Sequence, residues 1–145
     1  MVYHIFYSIV HRYRTSNKKG IIGESLAGLF VVETFLLQPA LFDFYIAMDP
    51  SLWWNSHFLV DNAAGLLDTF PERETRLWFA GSDAKDIFPY TRSLEQALVS
   101  NENVYLRWKY SDEPQEQHHT IFRATKEKAL IWTLNDSLVG SPMDR

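Results

Sequence analysis

The stretch Gly20-Ile21-Ile22-Gly23-Glu24-Ser25-Leu26-Ala27-Gly28 decides the fold. A short apolar strand, Gly20 to Gly23, runs through a serine into a nearly all-apolar helix, Leu26 to Gln38, which Pro39 stops. A serine between strand and helix, with small residues at Gly23 and Ala27, has the layout of a nucleophile elbow. There the serine must occupy a tight, strained turn for its hydroxyl to project from the sheet. Gly23 and Ala27 must be small because strand and helix come close, and the helix N-terminus turns free N–H groups toward a developing oxyanion. The alternative is a glycine-containing turn with an incidental serine. The helix is apolar almost all round, so burial on most sides is expected.

The pattern repeats outward. Upstream, Ile5, Ile9 and Tyr13 recur at helical spacing in a segment ending near Arg14, before the polar stretch Thr15 to Gly20. Downstream come a strand at Phe44 to Met48 and a loop with Trp53 and Trp54. A helix from about His57 to Phe70 and a strand at Arg76 to Ala80 follow. Pro89 opens a helix through Ser100, a fourth strand spans Asn103 to Trp108, and a polar loop, Ser111 to His119, leads to a last helix, about Phe122 to Leu134. Strands alternating with helices specify an α/β fold, a parallel sheet with helices on both faces. No repeat or linker divides the chain, so 1–145 reads as one domain with a polar tail, 135–145, expected to fray. In such sheets ligands bind at the carboxyl ends of the strands, after Gly23, Met48, Ala80 and Trp108.

A serine nucleophile needs a base, and the base an orienting acid, in the order serine, acid, histidine. Of five histidines, His118 and His119 follow the fourth strand and precede the last helix, where an active-site histidine belongs. The acid is sought after the third strand, where Gly81-Ser82-Asp83-Ala84-Lys85-Asp86 offers two candidates. Asp86 is favoured, since the extra residues let the loop reach the histidine; Asp83 is the alternative. Each has a structural reading too, Asp83 as a turn residue and Asp86 as a helix cap. Trp53 and Trp54, with Glu24 beside the serine, are the candidate substrate-pocket residues, one tryptophan expected inward and one toward the cleft.

Composition narrows the classes. The 145 residues are 46% hydrophobic and 22% charged, enough apolar material to fold. With no cysteine there is no disulfide, thiolate metal site or cysteine nucleophile. No apolar run reaches the roughly 18 residues that cross a bilayer, and the richest, Ile21 to Leu37, is broken by Glu24, Ser25, Glu33 and Thr34. A net charge of -4 offers no footprint for nucleic acid. Gly23 to Gly28 continues into Leu29 and Phe30, unlike a phosphate loop, so neither metal nor cofactor is expected. Val2 to Val10 is interrupted by His4 and Ser8, without a signal-peptide layout, and a cytoplasmic location is expected.

Three segments together resemble the α/β-hydrolase esterases of the esterase D, enterochelin esterase and IroE-like group. Residues 21–30, IIGESLAGLF, look like the group's G-x-S-x-G-G-L elbow, with Ala27 where glycine is usual. Residues 38–55, QPALFDFYIAMDPSLWWN, look like the following strand and its Ser-Leu-Trp-Trp loop. Glu116-Gln117-His118-His119-Thr120 looks like an E-x-H-x-[ST] histidine segment. The resemblance runs from about residue 1 to 134 and covers only the group's C-terminal half, without its early strands. It implies a serine carboxylic-ester hydrolase of siderophore-esterase type, working through an acyl-enzyme on Ser25. His118 would be the base, and the Leu26 N–H one of two oxyanion donors. The second donor belongs to an earlier loop, and some members manage with a Ser–His dyad. The implied partner is a small-molecule ester. Feruloyl or acetyl esters and thioesters use the same machinery. The alternative is an inactive truncated remnant or a pairing module, self-associating or meeting a missing N-terminal half through an exposed sheet edge.

Overall fold

The computed structural model describes residues 2–136, and their side chains except those of 2–4 and 6. The elements run α1 (Val2–Arg12), β1 (Gly20–Glu24), α2 (Leu26–Leu37), β2 (Phe44–Met48), α3 (Phe58–Asp68), β3 (Thr75–Ser82), α4 (Phe88–Val99), β4 (Leu106–Glu113) and α5 (Ile121–Leu134). The four strands form one parallel sheet in the order β1-β2-β3-β4.

Alternation along the central strands builds two apolar layers. Tyr45, Ala47, Leu77 and Phe79 face α2, α3 and α4, whose Val32, Phe35, Leu67, Leu94 and Leu98 complete the larger core. Ile46, Met48, Trp78 and Ala80 face the other way, onto Ile121, Ala129 and Trp132 of α5. The first three crossovers therefore leave their helices on one face, as same-handed crossovers in one direction require. Only the last connection returns over the strand ends to put α5 on the opposite face. That return carries the segment with His118 across the top of the sheet.

The fourth strand lies later than its polarity indicated. β4 begins at Leu106 and continues through Glu113, pairing residue by residue with Thr75 to Ser82. Asn103 instead makes a turn, its side-chain oxygen accepting from the Tyr105 N–H (2.8 Å). β4 is an edge strand that is half-exposed or exposed on both faces from 107 to 112, so Lys109, Ser111 and Asp112 are tolerated within it. Of the tail, Asn135 and Asp136 are described: Asp136 pairs with Arg76 (2.6 Å) and Lys18 (3.0 Å). The expected fraying otherwise falls on 137–145, outside the described residues.

β1 is the other edge, and α2 is less covered than its composition indicated. Gly28, Val31, Val32, Thr34, Phe35 and Leu36 are buried. Leu26, Phe30 and Leu37, spaced along one side of the helix, are 60%, 57% and 46% exposed, and Ile22 on the edge strand is 42% exposed. Among the described residues no strand pairs with the outer side of β1. An unpaired strand beside an apolar stripe favours association. The average mass in sedimentation equilibrium is expected to rise with protein concentration, and Phe30→Glu with Leu37→Glu to lower it. A concentration-independent monomer would contradict this.

The strand–helix junction is tight. A Cβ on Gly23 would stand 2.5 Å from the carbonyl carbon and oxygen of Ala27, and one on Gly28 3.1 Å from the Met48 carbonyl oxygen. Backbone cannot yield as a flexible side chain does. Gly23→Ala is expected to cost about 1–3 kcal/mol in chemical denaturation; unchanged stability would show that the junction can open.

Candidate active site

Ser25 is held in the backbone conformation that the elbow spacing anticipates. Its φ of 58° and ψ of -119° lie where a non-glycine residue costs on the order of 1–3 kcal/mol. Neighbouring backbone over-determines the turn. The Ser25 N–H donates to the Met48 carbonyl (3.0 Å), and the Ser25 carbonyl accepts from the Leu29 (2.9 Å) and Ser51 (3.1 Å) N–H groups. The turn leaves the side chain partly exposed above the sheet. Leu26, the first residue of α2, has an N–H without an intrahelical acceptor, at the positive end of the helix dipole.

His118 meets Ser25 from the far side of the sheet. Its Nε2 is 3.0 Å from Ser25 Oγ. Glu116 and Thr120 brace the loop on either side: the Thr120 hydroxyl donates to Glu116 Oε2 (2.7 Å) and accepts from the Gln117 N–H (3.0 Å). The Glu116 N–H donates to the Glu113 carbonyl (3.0 Å), tying the loop to the end of β4. Burial alone would push the Glu113 carboxyl up. Hydrogen bonds from Lys128, Ser111 and Gln115 outweigh this and hold it below the usual carboxylate range. His119 is exposed.

The carboxylate at His118 is Asp49, which corrects the expectation for the orienting acid. Asp49 Oδ2 is 2.9 Å from His118 Nδ1, and the residue has no exposed surface. Ser82 donates to both of its oxygens, N–H to Oδ1 (2.6 Å) and hydroxyl to Oδ2 (2.6 Å). Asp83 and Asp86 are exposed, and neither hydrogen-bonds to His118 among the described residues. The reason is strand length. β3 runs on to Ser82, so the loop bearing Asp83 and Asp86 starts beyond the sheet and turns outward into α4. Asp49 follows β2 directly, next to the elbow strand. Its φ of 43° and its N–H bond to the Ala80 carbonyl (2.9 Å) turn the side chain inward. Asp49 lies between Ser25 and His118 in the sequence. The signal was present as an aspartate ending a wholly apolar strand, but Asp49-Pro50 also reads as a strand terminator.

The aromatic loop differs from its expectation. Trp53 and Trp54 are both outward, 38% and 56% exposed, and touch edge-on at 5.9 Å. The inward residue is Leu52, fully buried. Asn55, Ser56 and His57 all have positive φ, an unfavourable run for residues with side chains. Tyr90 anchors its end, its ring stacked on His57 at 4.5 Å and its hydroxyl sharing a 2.8 Å hydrogen bond with His57 Nε2. Glu24 ends β1, half-buried.

No helix among the described residues is long and apolar enough to cross a membrane. No family model matches the sequence. Over 52 residues it is 35% identical to a siderophore triacetylfusarinine C esterase of Aspergillus fumigatus, covering 36% of this chain and 18% of that protein. Over 43 residues it is 44% identical to the ferri-bacillibactin esterase BesA of Bacillus subtilis, covering 30% and 15%. The fold superimposes on siderophore hydrolase EstB from Aspergillus nidulans with a TM-score of 0.76 at 16% identity, over 91% of this chain and 54% of EstB. It superimposes on an IroE-like serine hydrolase from Shewanella oneidensis with a TM-score of 0.73 at 18% identity, over 87% and 43%. The chain thus spans about half the length of these structures. Over about a third of its length it is similar in sequence to siderophore esterases, and its fold matches the corresponding part of these hydrolase structures.

Proposed function

We propose that this chain carries the nucleophile, base and orienting acid of a serine carboxylic-ester hydrolase. The observation that carries the reading is the hydrogen-bonded series Asp49–His118–Ser25, with Ser25 in the strained elbow. Ser25 Oγ attacks the ester carbonyl while its proton passes to His118 Nε2, and the carbonyl π pair moves onto oxygen. Asp49 orients the imidazole and stabilises its charged form. The Leu26 N–H donates to the oxyanion. Collapse expels the alcohol, which takes the proton from His118. Water then attacks the acyl-Ser25 ester by the same route, releasing the acid.

The substrate class follows from likeness: the sequence relatives are esterases of siderophores, so siderophore-type esters are the proposed substrates. Feruloyl and acetyl esters and small thioesters belong in the same assay panel. The exposed tryptophan pair offers an aromatic wall without choosing among them. The open β1 edge supports a second reading, a non-catalytic pairing module.

Labelling by a fluorophosphonate probe and hydrolysis of a short p-nitrophenyl ester separate the two. Both are expected, and Ser25→Ala should abolish both. Asp49→Asn should lower kcat by about 10³–10⁴, whereas Asp86→Asn and Asp83→Asn should stay within about twofold of the parent. Retained labelling in Ser25→Ala would refute the mechanism, and an Asp86→Asn loss as large as that of Asp49→Asn would return the acid to the later loop.

A further inference from the structure

The directions of the hydrogen bonds place a proton that the scheme above does not use. The Ala84 N–H donates to Ser82 Oγ (3.3 Å), which leaves the Ser82 proton for Asp49 Oδ2. A carboxylate only accepts, so His118 Nδ1 carries the imidazole proton and Nε2 presents its lone pair. The Ser25 proton then points at Nε2. Among the described residues one further group reaches the Ser25 oxygen: Ser51 Oγ, 3.4 Å away. Since the only proton of Ser25 is committed to His118, the proton in that contact belongs to Ser51.

Ser51 is built into the site. It is buried, and its N–H donates to the Ser25 carbonyl (3.1 Å). Its own carbonyl accepts from the Trp54 N–H (3.0 Å). Among the described residues Ser25 Oγ is the hydrogen-bond partner of its hydroxyl. A neutral donor held out of water beside an atom that gains negative charge stabilises the charged state more than the resting one. Such contacts are often long at rest and tighten as the charge develops.

We propose that Ser51 is a further catalytic residue, whose hydroxyl donates to the Ser25 oxygen and stabilises the alkoxide character it acquires as its proton leaves for His118, before the new bond passes that charge to the carbonyl oxygen. This rests on the ester-hydrolase reading. The Ser25 proton moves to His118 Nε2 ahead of the Oγ–carbon bond, and as an Oγ lone pair forms that bond the carbonyl π pair moves to its own oxygen, which then bears the charge. Ser51 keeps its own proton throughout. The two donors act on different atoms, Ser51 on the nucleophile oxygen and the Leu26 N–H on the carbonyl oxygen.

Ser51→Ala removes the hydroxyl and keeps the N–H bond to Ser25. It is expected to lower kcat for p-nitrophenyl acetate, and the rate of fluorophosphonate labelling, by about 10- to 100-fold. KM should stay within about twofold. The acid limb of the pH–rate profile should stay in place, because the Asp49–His118 pair is untouched. Ser51→Thr, which keeps a hydroxyl, should recover most of the rate. If Ser51→Ala melts below the assay temperature, Ser51→Cys, a far weaker donor of similar shape, is read the same way. Rates within twofold of the parent, or a displaced acid limb, would overturn the role of Ser51 while Ser25 still labels. Failure of the parent chain to label would overturn this role and the hydrolase reading together.

Discussion

A carboxylate with no exposed surface ties the upper end of this sheet together. Asp49 sits at the end of β2, accepts two bonds from Ser82 at the end of β3, and holds His118 from the loop beyond β4. Burying such a group costs several kcal/mol unless its oxygens are satisfied, and here each oxygen has a donor. The cost therefore becomes a constraint. The His118 loop must return over the sheet, β3 must extend to Ser82, and Asp49 must adopt its left-handed backbone for the carboxylate to be satisfied.

The same constraint links fold to site. The return of the chain from β4 over the strand ends places α5 on the second face of the sheet. His118 lies on that return, braced by Glu116 and Thr120. The E-x-H-x-T spacing then has a physical reason, since its outer residues bond to each other around the histidine. Below the site, Gly23 and Gly28 let α2 approach β1 and the β2 loop closely enough to hold the strained Ser25 turn.

Much of this was legible in the sequence because it rests on short-range rules. The elbow follows from residue size at Gly23, Ala27 and Gly28, and the β2 boundaries from an apolar run stopped at Asp49-Pro50. Features set by long-range pairing were not legible. The second half of β4 is polar and becomes a strand because β3 lies alongside it. Asp49 has its role through Ser82 and His118, 33 and 69 residues away in sequence. The tryptophans turn outward because Leu52 takes the buried position between the loop and the core.

The directional order of the hydrogen bonds, from Ser82 through Asp49 and His118 to Ser25, underlies every role assigned to these side chains. Imidazole ¹⁵N chemical shifts of His118 in the resting protein, above its titration, measure that order directly. The account requires a protonated, pyrrole-type Nδ1 and an unprotonated Nε2, with the Nδ1 proton shifted downfield by its carboxylate acceptor. A protonated Nε2 with a bare Nδ1 would contradict it, because His118 could then neither donate to Asp49 nor accept the Ser25 proton.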